Sequence, residues 1–246
     1  MIITNLTYNT SGLGNQMFRL SFLIGLSKLK NCKIILPNSK SDLDYFGIDD
    51  LKGNIEFDYL NIQENKFSFD ENLFNINNNT NYKGFFQSEK YFKHAEKEIR
   101  NIFKFDEKLY KKFDYLKNKF VGIHIRRGDY LSDINNNKHN VLNLEYVLES
   151  IKKYNGYKFY VISDDIKWCK ENLTFENFTF SDNTDIYSDL CAYSLCEHQI
   201  IYNSTFSWWG AWLNDNKNKK ITYPNVWFGK ELSHLDTKDI IPNEWK

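Results

Sequence analysis

Cysteine is scarce in this chain. Cys32, Cys169, Cys191 and Cys196 are the only four, and they show neither metal-ligand spacing nor a disulfide framework. They read as small core fillers in a protein held under reducing conditions. An excess of one charge is lacking too: Lys plus Arg and Asp plus Glu each number 32. That balance argues against broad, sequence-independent nucleic-acid binding, which needs a large positive field, but it allows a small basic pocket for one phosphorylated ligand. No stretch approaches the roughly eighteen apolar residues of a membrane span. The start, "MIITNLTYNT", has no basic end and no long apolar run, so no export signal is expected. The expected location is cytoplasmic, with room for peripheral attachment at the inner face of the membrane. What the chain does have is apolar bulk. Over 246 residues it is 41% hydrophobic and 17% aromatic, enough for one large domain or two ordinary ones.

The pattern along the chain predicts an α/β fold. "IITNL" reads as a strand, "TYNTSGLGNQ" as a turn, residues 17–29 as a buried helix and "KIILP" (33–37) as a second strand. Residues 38–83 carry no clear period, and "NINNNTN" (75–81) reads as a loop. Two amphipathic helices are expected at 88–103 and 106–118. After Lys119 strands and helices alternate: "FVGIHI" (120–125), a polar loop at 131–140, "LEYVLESIKKY", "KFYVISD" (158–164), "IKWCKENL", "FTFSD" (178–182), "IYSDLCAYSLC", "QIIYN" (199–203), "SWWGAWLN" and "KITYP" (220–224). This rhythm means a parallel sheet with helices on both faces. A junction at 118 gives two Rossmann-like domains, 1–118 and 119–246, expected to face each other across a cleft.

The chemistry gathers where these strands end, which is where open α/β sheets bind ligands. "HIRRGDY" (124–130) contains the adhesive tripeptide Arg-Gly-Asp, but no export signal accompanies it. Its other reading is an anion pocket. Adjacent guanidiniums beside an apolar strand are costly unless an anion meets them, and two Arg suit planar, bidentate phosphate recognition. An internal carboxylate is the alternative partner. The following strands end in Asp164-Asp165, Ser181-Asp182 and Asn203-Ser204-Thr205-Phe206-Ser207, all of which also make good helix caps. "SGLGNQMF" (11–18) lets backbone approach a ligand at Gly12 and Gly14, just before a helix N-terminus. It is not a dinucleotide fingerprint: Met17 occupies the third small position, and Pro37-Asn38 stands where an acidic residue would hold a ribose. Trp208 and Trp212, four apart, suit core packing. Asp42-Leu43-Asp44 has the form some metal-dependent sugar transferases use, but it follows a polar stretch and reads as a solvated loop.

Together "GLGNQMF", "GFFQSEKYF", "HIRRGDY", "ISDD", "EHQIIYNSTFSWWGAWLN" and "DIIPNEW" resemble the bacterial α-1,2-fucosyltransferases of glycosyltransferase family 11. The resemblance runs from residue 12 to 245. It implies a GT-B fold and an inverting transfer of L-fucose from GDP-fucose to the 2-hydroxyl of a terminal galactose in a glycan. GDP-fucose is then a co-substrate, and neither a metal nor a cofactor is expected. The resemblance further implies that Arg126, with Arg127 beside it, holds the donor's β-phosphate, that His124 contacts the guanine and that Asp164 or Asp165 reads its N–H edge. Ser204, Thr205 and Ser207 would meet the phosphates in the donor domain, 119–246, and Gly12, Gly14, Asn15 and Gln16 would line the donor from the acceptor-side domain, 1–118. Asp129, just beyond the Arg pair, is the candidate general base; a salt bridge to Arg127 is its alternative role. Two rival functions remain: another GDP-sugar transferase of the same fold, and a non-catalytic GDP-sugar or glycan-binding module.

Overall fold

The computed structural model describes residues 1–132 and 137–246, so the middle of the loop expected at 131–140 lies outside the described residues. The chain divides into two compact units, residues 1–104 with 235–244 and Lys246, and residues 105–234 with Trp245.

The first unit holds β1 (Ile2–Thr4), α1 (Leu13–Lys30), β2 (Lys33–Ile34), β3 (Leu36–Pro37), β4 (Lys52–Gly53), β5 (Leu60–Gln63), β6 (Thr80–Lys83) and α2 (Glu96–Ile102). Its sheet runs β2-β1-β6-β5, all parallel, while β3 pairs separately with β4. The helix α1 starts at Leu13, ahead of the apolar pattern, because Gly12 takes the N-cap position in extended backbone. Phe22 on this helix stacks on Phe86 at 4.0 Å and meets Tyr82 and Tyr91 edge-on.

Two elements differ from the sequence reading. The inner strand β6 begins inside "NINNNTN". It is polar yet buried, and Asn81 explains how: its Oδ1 accepts the Leu6 N–H at 3.0 Å, and its Nδ2 donates to Asn61 at 2.7 Å. The helix expected at 88–103 is broken into two 3₁₀ turns, Glu89–Tyr91 and Lys93–Ala95, before α2 begins. The break lets Tyr91 and Phe92 both be buried against α1. There the Tyr91 carbonyl comes so close to Gly25 that a Cβ would sit 2.3 Å away.

The second unit holds α3 (Glu107–Phe113), β7 (Phe120–Ile125), α4 (Leu144–Ile151), β8 (Lys158–Ser163), α5 (Ile166–Asn172), β9 (Phe178–Phe180), α6 (Ile186–Leu195), β10 (His198–Ile200), α7 (Thr205–Leu213) and β11 (Ile221–Thr222). Its sheet runs β11-β10-β7-β8-β9, again all parallel. Because α3 packs on α6, it belongs here, and the division falls after Lys104, not at 118. The strand β7 lies at the centre with every residue buried, as a near-continuous apolar run requires. Tyr193 of α6 is wedged between Gly122 and Gly210, where a Cβ would come within 2.8 and 2.2 Å of its ring. Its hydroxyl donates to the Ile200 carbonyl at 3.0 Å, which ties β7, β10 and α7 together. Trp208 and Trp212 are buried and stacked at 6.4 Å, so they are core. All four cysteines are buried and unpaired. No helix of the described residues is long and apolar enough to cross a membrane.

Candidate active site

At the carboxyl end of β7 the chain leaves the sheet through Arg126 and Arg127, next to the end of β8. Arg126 Nη2 lies 2.7 Å from Asp129 Oδ1, and its Nη1 lies 3.1 Å from Asp164 Oδ2. Arg127 pairs with Asp165 at 3.3 Å and stacks on the Trp168 ring at 3.8 Å. Asp164 also accepts the Arg127 backbone N–H at 2.9 Å, and Gly128 packs beside it, where a Cβ would lie 2.7 Å from its Oδ2. Asp165 caps α5 through Trp168 N, so its capping role and its place in the ion-pair network coexist.

Both guanidiniums therefore have internal carboxylate partners, and Asp129 pairs with Arg126 instead of Arg127. The Arg126 cluster remains open to a ligand: Arg126 is 35% and Asp129 52% exposed. An exposed pair of this kind is worth only about 0–1 kcal/mol, so a bidentate phosphate can compete for the guanidinium. Arg127, at 16% exposure and stacked on an indole, is the more deeply anchored of the two.

His124 lies beneath this rim, 5% exposed, with its ring 4.9 Å from that of Phe206. Its Nδ1 is buried and has no hydrogen-bond partner among the described residues. Burial, helped by the Arg126 charge, pushes its pKa from 6.5 down to about 3. The unfolded chain therefore takes up a proton below about 6.5 that the folded chain refuses. The stability this residue contributes is complete above that pH and drains away as pH falls toward about 3. The melting temperature is expected to fall on acidification from about pH 7 to about pH 4, and His124→Gln should flatten that slope. An unchanged slope in the variant would rule out His124 as its source.

The α7 start completes the rim only in part. Ser204 occupies the N-cap position without a side-chain cap bond, and Thr205 is partly exposed. Ser207 is turned inward: it is fully buried and donates to the Tyr202 and Ser204 carbonyls. The structure does not bring it to the rim.

In the first unit, Gly12 and Gly14 sit at the start of α1, whose first turn contains no acidic residue. Asn15 Oδ1 accepts a hydrogen bond from Gln87 at 2.8 Å. Gln16 is 2% exposed and bonded at both ends of its carboxamide, to the Ser11 carbonyl and Asp42 through Nε2 and to Ser41 through Oε1.

Residues that sequence reasoning passed over hold this loop. Arg19, 5% exposed, donates to the Thr7, Thr10 and Gly84 carbonyls. Glu64 accepts the Phe85 and Phe86 N–H groups, and burial pushes its carboxyl up to about 6. The available signals were a lone arginine inside an apolar helix and the glutamine of "GFFQSEKYF".

All-parallel main sheets in two units make an α/β fold, and its likeness to solved fucosyltransferases makes it one of the GT-B type. A solved counterpart is the NodZ α-1,6-fucosyltransferase soaked with GDP-fucose, at a TM-score of 0.54 and 12% identity over 86% of this chain and 92% of that one. The chain belongs to glycosyl transferase family 11, whose model matches residues 2–246. It is 30% identical to an α-1,2-colitosyltransferase of Escherichia coli over 95% of both chains. It is 25% identical to a galactoside 2-α-L-fucosyltransferase of Caenorhabditis elegans over 96% of this chain and 76% of that one.

Proposed function

We propose that this glycosyltransferase moves L-fucose from GDP-fucose to the 2-hydroxyl of a terminal galactose, with inversion and without a metal or cofactor. The observation that carries the reading is Arg126, a part-exposed guanidinium at the end of the central strand of a family 11 enzyme. Breaking the bond from C1 to the β-phosphate builds negative charge on the leaving GDP. A preorganised Arg126, with Ser204 and Thr205 at the α7 start, meets that charge as it develops.

Asp129 fits the role of base through the same pairing. When the diphosphate takes over the guanidinium, the Arg126 pair opens and Asp129 accepts the proton of the attacking hydroxyl. His124 and the Asp164-Asp165 pair serve the guanine in this reading, and Gly12, Gly14, Asn15 and Gln16 line the donor.

The α-1,2-colitosyltransferase relative favours a second donor. Colitose is fucose without its 3-hydroxyl, so the same 6-deoxyhexose chemistry applies. Assays in EDTA with GDP-fucose, GDP-colitose and GDP-mannose test the proposal. Transfer of fucose to a galactoside at an undiminished rate is expected, with slow donor hydrolysis when acceptor is omitted. Strict dependence on manganese, or a donor held indefinitely without turnover, would contradict it.

A further inference from the structure

The amino ends of β8 and β9, at the opposite end of their sheet from Arg126, are only partly covered. The helix that crosses back over them, α5, has seven residues and reaches about 10 Å, while the six residues of β8 extend about 20 Å. Among the described residues no strand pairs with the outer edge of β9. A cavity of about 800 Å³ opens there, between α4 and the start of β9. On the sheet side Phe159, Phe178 and Phe175 follow one another with ring centroids 5.0 and 5.7 Å apart. Phe159 belongs to the core, whereas Phe175 stands 52% exposed. On the helix side Leu144, Leu148 and Ile151 line the opening. Their spacing, four and then three, is that of a seam by which one helix packs on another.

Charge selects the partner. Along α4 and into the turn after it, the lining charges run Glu145, Glu149 and then Lys152, all exposed. Acid first and base last is a self-complementary order. A second α4 laid antiparallel sets the lysine of each copy against the glutamates of the other, which is what a two-fold contact requires. Within one chain Lys152 pairs with Glu149, and an exposed pair worth about 0–1 kcal/mol exchanges partners at little cost. Other occupants fit less well. An anionic membrane surface calls for an excess of basic residues, but Lys152, Lys153 and Lys158 here are matched by Glu145, Glu149 and Glu176. A small apolar ligand would use the phenyl rings and leave the ordered charges unused.

We propose that this face is a dimer interface between two copies of the chain. Their α4 helices pack antiparallel across a two-fold axis, Leu148 and Phe175 are buried against the partner's cavity, and Glu149 of each copy pairs with the partner's Lys152. The inference is independent of the donor and acceptor assigned above.

Sedimentation equilibrium of the full chain, from about 1 to about 100 µM, tests it. The wild-type protein should be a dimer in this range. Leu148→Glu and Phe175→Ser should each raise the dissociation constant about tenfold or more. Thermal melts check that both remain folded, and Phe175→Ser, at a half-exposed position, keeps the test decisive if Leu148→Glu does not. Glu149→Lys and Lys152→Glu should each weaken self-association about tenfold by placing like charges across the axis. An equimolar mixture of these two variants should dimerise about as well as the wild type, because each supplies the charge the other lacks. A wild-type protein that stays monomeric at about 100 µM would overturn the interface. So would a dimer indifferent to Phe175→Ser, single charge variants without effect, or a mixture that restores nothing.

Discussion

Replacing Arg126 with alanine is expected to cut transfer about a hundredfold to a thousandfold while leaving the protein folded. The β-phosphate carries more negative charge in the transition state than in the bound donor, so its partner is worth most at the moment of bond breaking. The folded state loses little, because the two ion pairs of Arg126 lie at an open rim, with side-chain exposures of 35% for Arg126, 52% for Asp129 and 24% for Asp164. At about 0–1 kcal/mol per exposed pair, losing two pairs should lower the melting temperature by no more than about 4–8 °C. Arg126→Lys should fail nearly as badly, since a point charge cannot reproduce a two-pronged contact. Arg127→Ala should show the opposite balance. Its guanidinium is stacked on Trp168 and tied to Asp165, so stability should suffer more and turnover less. Turnover set against melting temperature for the three variants checks this. A folded Arg126→Ala protein that transfers at the wild-type rate would put the phosphate site elsewhere.

Asparagine at Asp164 or Asp165 is expected to weaken GDP binding about tenfold to a hundredfold, the cost of 1–3 kcal/mol for leaving a guanine N–H edge without its acceptor. The choice of asparagine isolates that effect at Asp165. Asparagine caps a helix as well as aspartate does, so α5 should keep its start. At Asp164 the substitution also loosens Arg126, and the loss of turnover should therefore exceed the loss of GDP affinity. Calorimetry with GDP, ADP and UDP reads both: the variants should lose preference for GDP specifically. GDP affinity unchanged in both would remove these carboxylates from the base site.

The second unit was legible because its sheet is simple. The strands β7 and β8 are apolar runs stopped by polar residues, and α3, α4, α5 and α6 each begin on a capping Asp or Asn, so both periods are visible in the sequence. The rim at 124–130 was legible for the same reason: charge next to an apolar strand is conspicuous. Most of the first unit was not. The central strand β6 buries Asn81 through side-chain hydrogen bonds, and a hydrophobicity pattern cannot see a polar group satisfied by a partner twenty residues away. The breaks between Ser88 and Glu96 depend on how close Tyr91 comes to Gly25, a tertiary contact without local trace. Ser207 looked like a ligand group in a serine-rich block. It turned inward because its position on α7 faces the core, where its hydroxyl bonds back to the chain.

The proposed transfer inverts at fucose C1 and ends on a galactose 2-hydroxyl. The most direct measurement is NMR of the product formed from GDP-β-L-fucose and a β-galactoside in the presence of EDTA. A single new α-fucosyl anomeric signal and a glycosylation shift at galactose C2 are expected. A β-fucoside, or fucose attached to another hydroxyl, would contradict it.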